Sequence, residues 1–271
     1  MTPSPDPFDQ RSAIPFNFTE DAILLIGDGD LSFAHSLVVH HVALNVTATV
    51  FDSAPTLAEK YPQSTSLTTS LLAEEPTTKI LHSIDATKLL SYKSLRDKRF
   101  DRVVFNFPHV GGKSKDVNRQ VRYNQEMLVA FFGQAKALLT DQGSVIVTLF
   151  EGEPYTLWNI RDLARHSGLV VQRSFKFEAE RYPGYEHRRT LGNVEGGGGW
   201  KGEERDARTY VFVAKGEGVK KQGSQGGMRQ GKGGKGKGAN AKGGEKRKSD
   251  GGETSRGKKR RKGGNDSDDD D

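Results

Sequence analysis

Two glycines and two aspartates alternate directly after an apolar run near the start of the chain. The run is Ile23 to Ile26, a helix-compatible segment from Leu31 to His41 comes afterwards, and the four residues between are Gly27, Asp28, Gly29 and Asp30. In an open α/β sheet, a first strand delivers a nucleotide-like cofactor to a helix N-terminus in this way, and glycines let the backbone approach it. Two carboxylates repel a pyrophosphate but attract ammonium and sulfonium groups. The turn therefore favours S-adenosylmethionine (SAM) over NAD.

Two further aspartates end predicted strands. Asp52 follows the second strand, Val46–Phe51, at 23 residues after Gly29, and near this spacing an acidic residue accepts hydrogen bonds from ribose hydroxyls. Asp85 follows a weaker third strand, Ile80–Ile84, where it can flank an adenine. The alternative for both is a strand-end carboxylate that caps the next turn.

A second group of residues with chemical potential is Asn106-Phe107-Pro108-His109, at the end of the predicted strand Phe100–Phe107. Ligands bind in the crevice outside the carboxyl ends of such strands. A side-chain amide there can hydrogen-bond the edge of a flipped nucleobase, and an aromatic ring can stack on its face. The alternative is an ordinary strand-ending turn built from Asn and Pro.

A third group lies between the last two predicted strands, Leu169–Phe177 and Arg208–Ala214. The connection from Arg181 to Glu204 is too long for a plain hairpin turn, and it contains Tyr182 to Thr190, a run of aromatic, histidine and arginine residues. Aromatic rings suit stacking on bases, and arginines suit pairing with phosphates. Long structured loops in compact domains are usually functional or disordered, and the aromatic residues argue against disorder.

The order of elements indicates the fold class. Strands alternate with helices up to about residue 177, including helices over Asn118–Leu139 and from Pro154 to His166. Two strands then follow without a helix between them. This order predicts a Rossmann-like α/β domain with a mostly parallel sheet and an antiparallel C-terminal strand. A seven-stranded sheet of that kind is typical of class I methyltransferases, although a fold does not determine a function.

Composition separates the chain into three parts. Residues 1–20 are an irregular, proline-rich lead-in, residues 21–215 are the predicted Rossmann-like domain, and residues 216–271 are a glycine- and lysine-rich segment. That last segment holds 16 of the 41 Lys and Arg residues but 9 of the 35 Asp and Glu residues. Because it has almost no large apolar residues, we expect it to be a disordered tail.

The tail predicts where the protein acts. Basic clusters at Lys246–Lys248 and Lys258–Lys262 suit nuclear-import signals or contacts to an RNA backbone, and an acidic run closes the chain at Asp266–Asp271. The alternative is a tail that only improves solubility. The chain has no cysteine, which excludes disulfides and thiolate chemistry, and no apolar run of membrane-spanning length. No spacing of His, Asp and Glu indicates a metal site.

Four blocks together resemble the eukaryotic 25S rRNA (uridine-N(3))-methyltransferase family. They extend across the whole predicted domain and none of the tail; they are Gly27 to Phe33, Phe100 to His109, Gly152 to Ile160, and Tyr182 to Thr190. The resemblance implies a SAM-dependent fold, a uridine in large-subunit rRNA or a pre-ribosomal particle as substrate, and residence in the nucleus and nucleolus. One departure is that Leu25 and Leu31 replace the acidic residue and third glycine of many methyltransferases.

The resemblance also implies roles for the candidate residues. N3 of uracil carries a proton, so a base is needed, for which His109 is the first choice and His187 the alternative, while Asn106 holds the uracil edge. Expected cofactor contacts are Gly27, Asp28, Gly29, Asp30, Ser32, Phe33, Asp52 and Asp85. Expected substrate contacts are Phe107, Pro108, Tyr185, Arg188 and Arg189. The rival functions are a non-catalytic RNA-binding ribosome-assembly factor and an NAD-type oxidoreductase.

Overall fold

The fold is a seven-stranded sheet covered by helices on both faces. It is seen in a computed structural model that describes residues 14–112, 114–188 and 205–216. The strands are β1 (Ile23–Ile26), β2 (Val46–Thr49), β3 (Lys79–Leu81), β4 (Phe100–Asn106), β5 (Leu139–Phe150), β6 (Leu169–Lys176) and β7 (Ala207–Ala214). The helices are α1 (Ser32–His35), α2 (Ala54–Lys60), α3 (Ser64–Glu74), α4 (Lys93–Arg96), α5 (Val117–Ala137) and α6 (Ile160–His166).

The strand order is β3-β2-β1-β4-β5-β7-β6. The pairs from β3 to β5 are all parallel, whereas β7 runs antiparallel to both β5 and β6. The predicted seven-stranded, mostly parallel sheet with an antiparallel C-terminal strand is therefore confirmed. The carboxyl ends of β1, β2, β4 and β5 meet at one edge, which is where such folds bind ligands.

Apolar periodicity explains how the helices attach to this sheet. The helix α5 begins where Asp116 Oδ1 accepts a hydrogen bond from the Arg119 N–H at 3.0 Å. Its buried face carries Leu128, Phe131, Phe132 and Ala135, the spacing expected for one face of a helix. All four side chains join the core on one side of the sheet. Leu37, Leu57 and Leu71 are buried in the core on the other side.

Several predicted elements differ from the observed ones in type or in bounds. The helix expected from Pro154 to His166 is wrong: a 3₁₀ turn over Tyr155–Trp158 is separated from α6 by Asn159, which adopts a left-handed backbone with φ 50°. Asn tolerates this conformation because its short side chain bonds locally. The third strand runs over Lys79–Leu81 rather than Ile80–Ile84. The first helix, predicted over Leu31 to His41, is present as α1 followed by a π-helical turn over Ser36–His40.

The ends of the chain are described only in part. Of the predicted lead-in, Phe16 is buried in the core, and Phe18 stacks on His41 with ring centroids 4.5 Å apart. Apart from Gly216, the predicted tail lies outside the residues that the structure describes. Within the described ranges, no helix has the length and apolar character needed to cross a membrane.

Candidate active site

The glycine turn between β1 and α1 is held by the neighbouring strand. Thr49, at the end of β2, accepts hydrogen bonds from the Gly27 N–H through Oγ1 at 3.4 Å and from the Asp28 N–H through its carbonyl at 3.0 Å. Gly27 has φ +62°, and a Cβ built there lies 3.1 Å from Phe105 Cε2. The turn is therefore shaped by β2 and β4 together. Nothing in the local pattern around Thr49 predicts this role.

Gly27→Ala is expected to destabilise the protein by about 1–2 kcal/mol, since it forces an L-residue into the left-handed region against the Phe105 ring. Gly29→Ala is the matched control, because its Cβ has only Tyr61 Oη within 4.0 Å and its backbone is not left-handed. Urea denaturation of both variants measures the difference. Equal free energies of unfolding would contradict this account of the turn.

Leu31 takes the backbone conformation that a third glycine would adopt. Its φ is 71° and its ψ is 10°, and its side chain is fully buried. The replacement of the third glycine by Leu31 therefore changes the residue type but keeps a left-handed backbone, and the leucine side chain packs in the core beneath the turn. The turn remains geometrically suited to a ligand at the edge of the sheet.

Asp28 is a carboxylate without a cationic neighbour among the described residues. Its Oδ2 accepts the Ala34 N–H at 2.8 Å. Burial, and then the charge of Asp30, raise the pKa of Asp28 to about 7, while backbone N–H groups of Ala34 and Phe33 act in the opposite direction. A cationic ligand would relieve this unfavourable environment.

Asp30, in contrast to Asp28, has a cationic neighbour, and both oxygens of its buried carboxylate accept hydrogen bonds. Its Oδ1 accepts the Ser32 N–H at 3.0 Å, and its Oδ2 accepts from Gln63 Nε2 at 3.1 Å and from Arg188 Nε at 3.2 Å. Arg188 also pairs with Glu186. Two carboxylates thus hold its guanidinium, and the phosphate contact of Arg188 remains a prediction. Arg189 lies outside the described residues.

Ser32 and Phe33 hold the segment Tyr182–Arg188 against the glycine turn. Ser32 Oγ donates to the Glu186 carbonyl at 3.3 Å and accepts its N–H at 3.4 Å. The Phe33 ring packs on Tyr182 and Tyr185, with centroid distances of 4.8 and 5.3 Å. Both side chains therefore dock this segment, and the cofactor contacts of Ser32 and Phe33 remain predictions.

The two strand-end aspartates have local partners. Asp52 Oδ1 forms an ion pair with Lys60 Nζ at 2.7 Å. Asp85 caps a 3₁₀ turn over Ala86–Ser91, with Oδ1 accepting from the Thr87 N–H at 2.9 Å. Burial opposes ionisation of Asp85, but the hydrogen bonds from Thr87 lower its pKa overall. Ribose and adenine contacts by Asp52 and Asp85 remain predictions.

The chain turns tightly after β4, and this turn contains Asn106 and two of the predicted substrate residues, Phe107 and Pro108. Asn106 is half-buried at the last position of β4, and Phe107 follows with φ 49°. The Phe107 ring packs against Phe150 and His187 at centroid distances of 4.5 and 4.4 Å. Pro108 is buried beneath the turn. Phe107 thus forms part of a wall rather than a free stacking platform.

His109 is exposed, and one of its ring nitrogens already accepts a hydrogen bond. Its Nδ1 accepts the Gly111 N–H at 2.9 Å. A nitrogen that accepts carries no proton, so the neutral ring holds its proton on Nε2 and presents a donor there. Desolvation lowers the pKa of His109, although part of the ring stays exposed. This hydrogen bond argues against His109 as the base.

His187 lines an open cavity of about 840 Å³ at the carboxyl edge of β4 and β5. The described part of its lining includes Phe107, Phe150, Phe177 and Tyr185, whereas His109, Asp28 and Asp52 are not part of it. Desolvation lowers the pKa of His187 to about 4, and the charge of Asp30 opposes the shift. Tyr185 Oη lies 3.4 Å from His187 Nδ1. The geometry therefore favours His187, the alternative base, over His109.

Phe150 and Phe177 are site residues that the sequence analysis missed. Both follow or end strands whose carboxyl ends face the cavity, and that position was the one available signal. In the described ranges, no group of three or more His, Asp or Glu side chains is arranged to hold a metal ion. The site therefore consists of a glycine turn with carboxylates and, beside it, an aromatic cavity with an imidazole.

Comparison with known proteins identifies the family of the chain. Residues 24–189 match the family described as rRNA (uridine-N3-)-methyltransferase BTM5-like. The chain is 33% identical over 257 residues to the 25S rRNA (uridine(2634)-N(3))-methyltransferase of Saccharomyces cerevisiae, covering 75% of each protein. It is also 39% identical over 170 residues to the heavy metal-associated isoprenylated plant protein 41 of Arabidopsis thaliana.

That second alignment covers 62% of this chain and 32% of the plant protein, so the chain spans about a third of that relative. Among solved structures, a methyltransferase from Pyrococcus furiosus is similar with a TM-score of 0.44 and 19% identity, over 73% of this chain and 77% of that one. The matched residues include the glycine turn, the turn after β4 and the docked segment Tyr182–Arg188. The chain belongs to the BTM5-like family of rRNA (uridine-N3-)-methyltransferases.

Proposed function

We propose that this chain transfers a methyl group from SAM to N3 of a uridine in large-subunit rRNA. The observation that carries the proposal is the arrangement of His187 in an aromatic cavity next to a carboxylate-bearing glycine turn. An aromatic cavity suits an extruded base, and the neighbouring turn suits a cationic cofactor. The yeast relative's activity on a uridine N3 supports the same reaction.

The residues of the glycine turn fit SAM. Gly29 leaves room for a close approach, because a Cβ there would have only Tyr61 Oη within 4.0 Å, and the half-buried carboxylate of Asp28 has no cationic partner among the described residues. Asp28 would hold the positively charged end of SAM, and Asp52 its ribose. SAM supplies the electrophilic methyl group when bound. Asp30 is proposed to act indirectly, by holding the turn and Arg188 in place.

We propose that the uracil is prepared by the cavity residues together with Asn106, which directly precedes Phe107 and is not itself part of the lining. Asn106 can accept a hydrogen bond through its amide oxygen and donate one through its nitrogen, which matches the edge of a uracil ring. His187 is proposed to take the N3 proton, because it lies in the cavity and its lowered pKa keeps the ring neutral at physiological pH. Asp30 favours the protonated form of His187 and would stabilise it once formed. Phe107 and Tyr185 would confine the ring.

His187→Ala is expected to lower kcat about 100-fold while leaving the Kd for SAM within a few-fold of the wild-type value. His109→Ala is the comparison, and it is expected to have a much smaller effect on kcat because the Nδ1 atom of His109 is engaged with Gly111. Single-turnover methylation of rRNA and calorimetry with SAM measure the two quantities. A larger loss for His109→Ala would reverse the assignment of the base.

The remaining proposals concern location and partners. We infer from the basic clusters at Lys246–Lys248 and Lys258–Lys262 that nuclear import machinery recognises the tail, and that the protein acts in the nucleolus on rRNA or a pre-ribosomal particle. Ribosome biogenesis is the process in which such a modification takes place. Deleting residues 217–271 and following the protein by fluorescence microscopy separates a localisation signal from a tail that only improves solubility.

A further inference from the structure

We propose that a second, smaller cavity beside the active site binds an unpaired nucleobase of the RNA next to the target uridine, and that Arg161 contacts the adjoining phosphate. The site is built by the block Gly152 to Ile160 together with Tyr210 of β7. This inference rests on the proposed rRNA substrate. It assigns a role to the one sequence block that the glycine turn and the main cavity leave without a function.

The cavity has the size and lining of a site for a single base. Its volume is about 200 Å³, which is below the ~300 Å³ of pockets that hold whole drug-sized ligands. Tyr155 and Tyr210 contribute aromatic rings, and Thr156 and Asn159 contribute polar groups at the rim. Planar bases stack on aromatic rings whatever their sequence, while rim groups bond their edges.

Arg161 carries a charge that the described residues do not neutralise. Its guanidinium carbon lies 5.6 Å from the centre of the Tyr210 ring, and its side chain is exposed. The nearby carboxylates are already paired, since Glu151 binds Arg208 and Asp162 binds Arg165. No ion pair to Arg161 is formed within the described part of the chain. An exposed, uncompensated guanidinium over an aromatic ring suits a phosphate beside a stacked base.

The small cavity and the main one share one aromatic wall, the side chain of Phe150. Phe150 lines both cavities, and the Tyr155 ring packs edge-on against it with centroids 5.4 Å apart. On the other side of Phe150, the His187 ring lies at 5.2 Å. A strand of RNA whose target base enters the main cavity therefore has its neighbouring nucleotide at Tyr155. Proteins that bind flipped bases contact flanking nucleotides in this manner.

The test compares Arg161→Ala with Arg165→Ala, which lies one turn further along α6, is exposed and does not line the cavity. The probes are a short fluorescent single-stranded RNA with one uridine between adenosines, and the same RNA with abasic sites in place of the adenosines. Anisotropy without SAM is expected to show about tenfold weaker binding for Arg161→Ala and wild-type binding for Arg165→Ala. The abasic RNA should bind the wild-type protein about tenfold more weakly, because it keeps the phosphate but lacks the base that would stack in the cavity.

Two results would overturn the inference: wild-type affinity for Arg161→Ala, or equal binding of the intact and abasic RNAs by the wild-type protein. Arg161→Lys provides a check on folding, because it keeps the charge but not the planar group and should recover part of the affinity. The assay is independent of methyl transfer. A wild-type protein that shows the predicted binding pattern but methylates no rRNA would overturn the proposed function and leave the subsite standing.

Discussion

Asp30→Ala is expected to lower the free energy of unfolding by about 2–3 kcal/mol, because it leaves buried donors without their acceptor. Asp30 accepts from the Ser32 N–H, Gln63 and Arg188, and its side chain is only 3% exposed. The pair with Arg188 is partly screened, since the Arg188 side chain is 32% exposed. The docked segment should therefore loosen from the glycine turn.

The loss of docking should also reduce methylation of rRNA by more than tenfold, because His187 directly precedes Arg188. Glu186→Ala is the matched control: Glu186 also pairs with Arg188, but its side chain is 56% exposed, so its loss should cost less than about 1 kcal/mol. Denaturation curves and single-turnover rates measure both variants. Similar losses for the two variants would show that Asp30 is not the anchor of this segment.

SAM binding is expected to strengthen about tenfold between pH 6 and pH 8 and to release a proton. In the ligand-free protein, burial and the charge of Asp30 raise the pKa of Asp28 to about 7. A cationic ligand favours the carboxylate, so binding lowers this pKa and the free protein must give up its proton at pH 6. Calorimetry in two buffers of different ionisation enthalpy measures the proton released.

Asp28→Asn should remove this pH dependence and weaken SAM binding at pH 8 by about tenfold or more. It should also stabilise the ligand-free protein at pH 8. The pKa of Asp28 in the folded protein is raised above its ordinary value of 3.8 to about 7. The stabilisation that Asp28 contributes is therefore fully present below pH 3.8 and is lost as the pH rises through about 7. Asp52→Asn is the control, expected to weaken binding while the proton release persists. Proton release that survives in Asp28→Asn would contradict the assignment.

The parts of the fold that could be predicted from the sequence are those with local signals. The strands β1, β2 and β4 are short apolar runs, α5 has clear helical periodicity, and the final pair of strands has no helix between them. The helix predicted from Pro154 failed because Asn159 adopts a left-handed backbone, which its residue type permits but does not require.

The parts of the site that could not be predicted depend on contacts between distant segments. Ser32 meets Glu186 across 154 residues of sequence, and Asp30 meets Arg188 across 158. A serine after a glycine turn and an arginine in an aromatic loop are each typical of ligand contacts. Only the docking of the loop on the turn shows that these side chains hold each other. The tautomer of His109 could not be predicted from the sequence either, because it depends on the hydrogen bond that Nδ1 accepts from the Gly111 N–H.

The most direct test of the central claim is nucleoside mass spectrometry of large-subunit rRNA after incubation with the purified full chain and isotopically labelled SAM. The account predicts labelled 3-methyluridine, with the signal lost in His187→Ala and retained in Arg165→Ala. Label on a different atom or a different base would contradict the proposed reaction. Tight rRNA binding without any labelled nucleoside would identify the protein as a ribosome-assembly factor that keeps the fold without the chemistry.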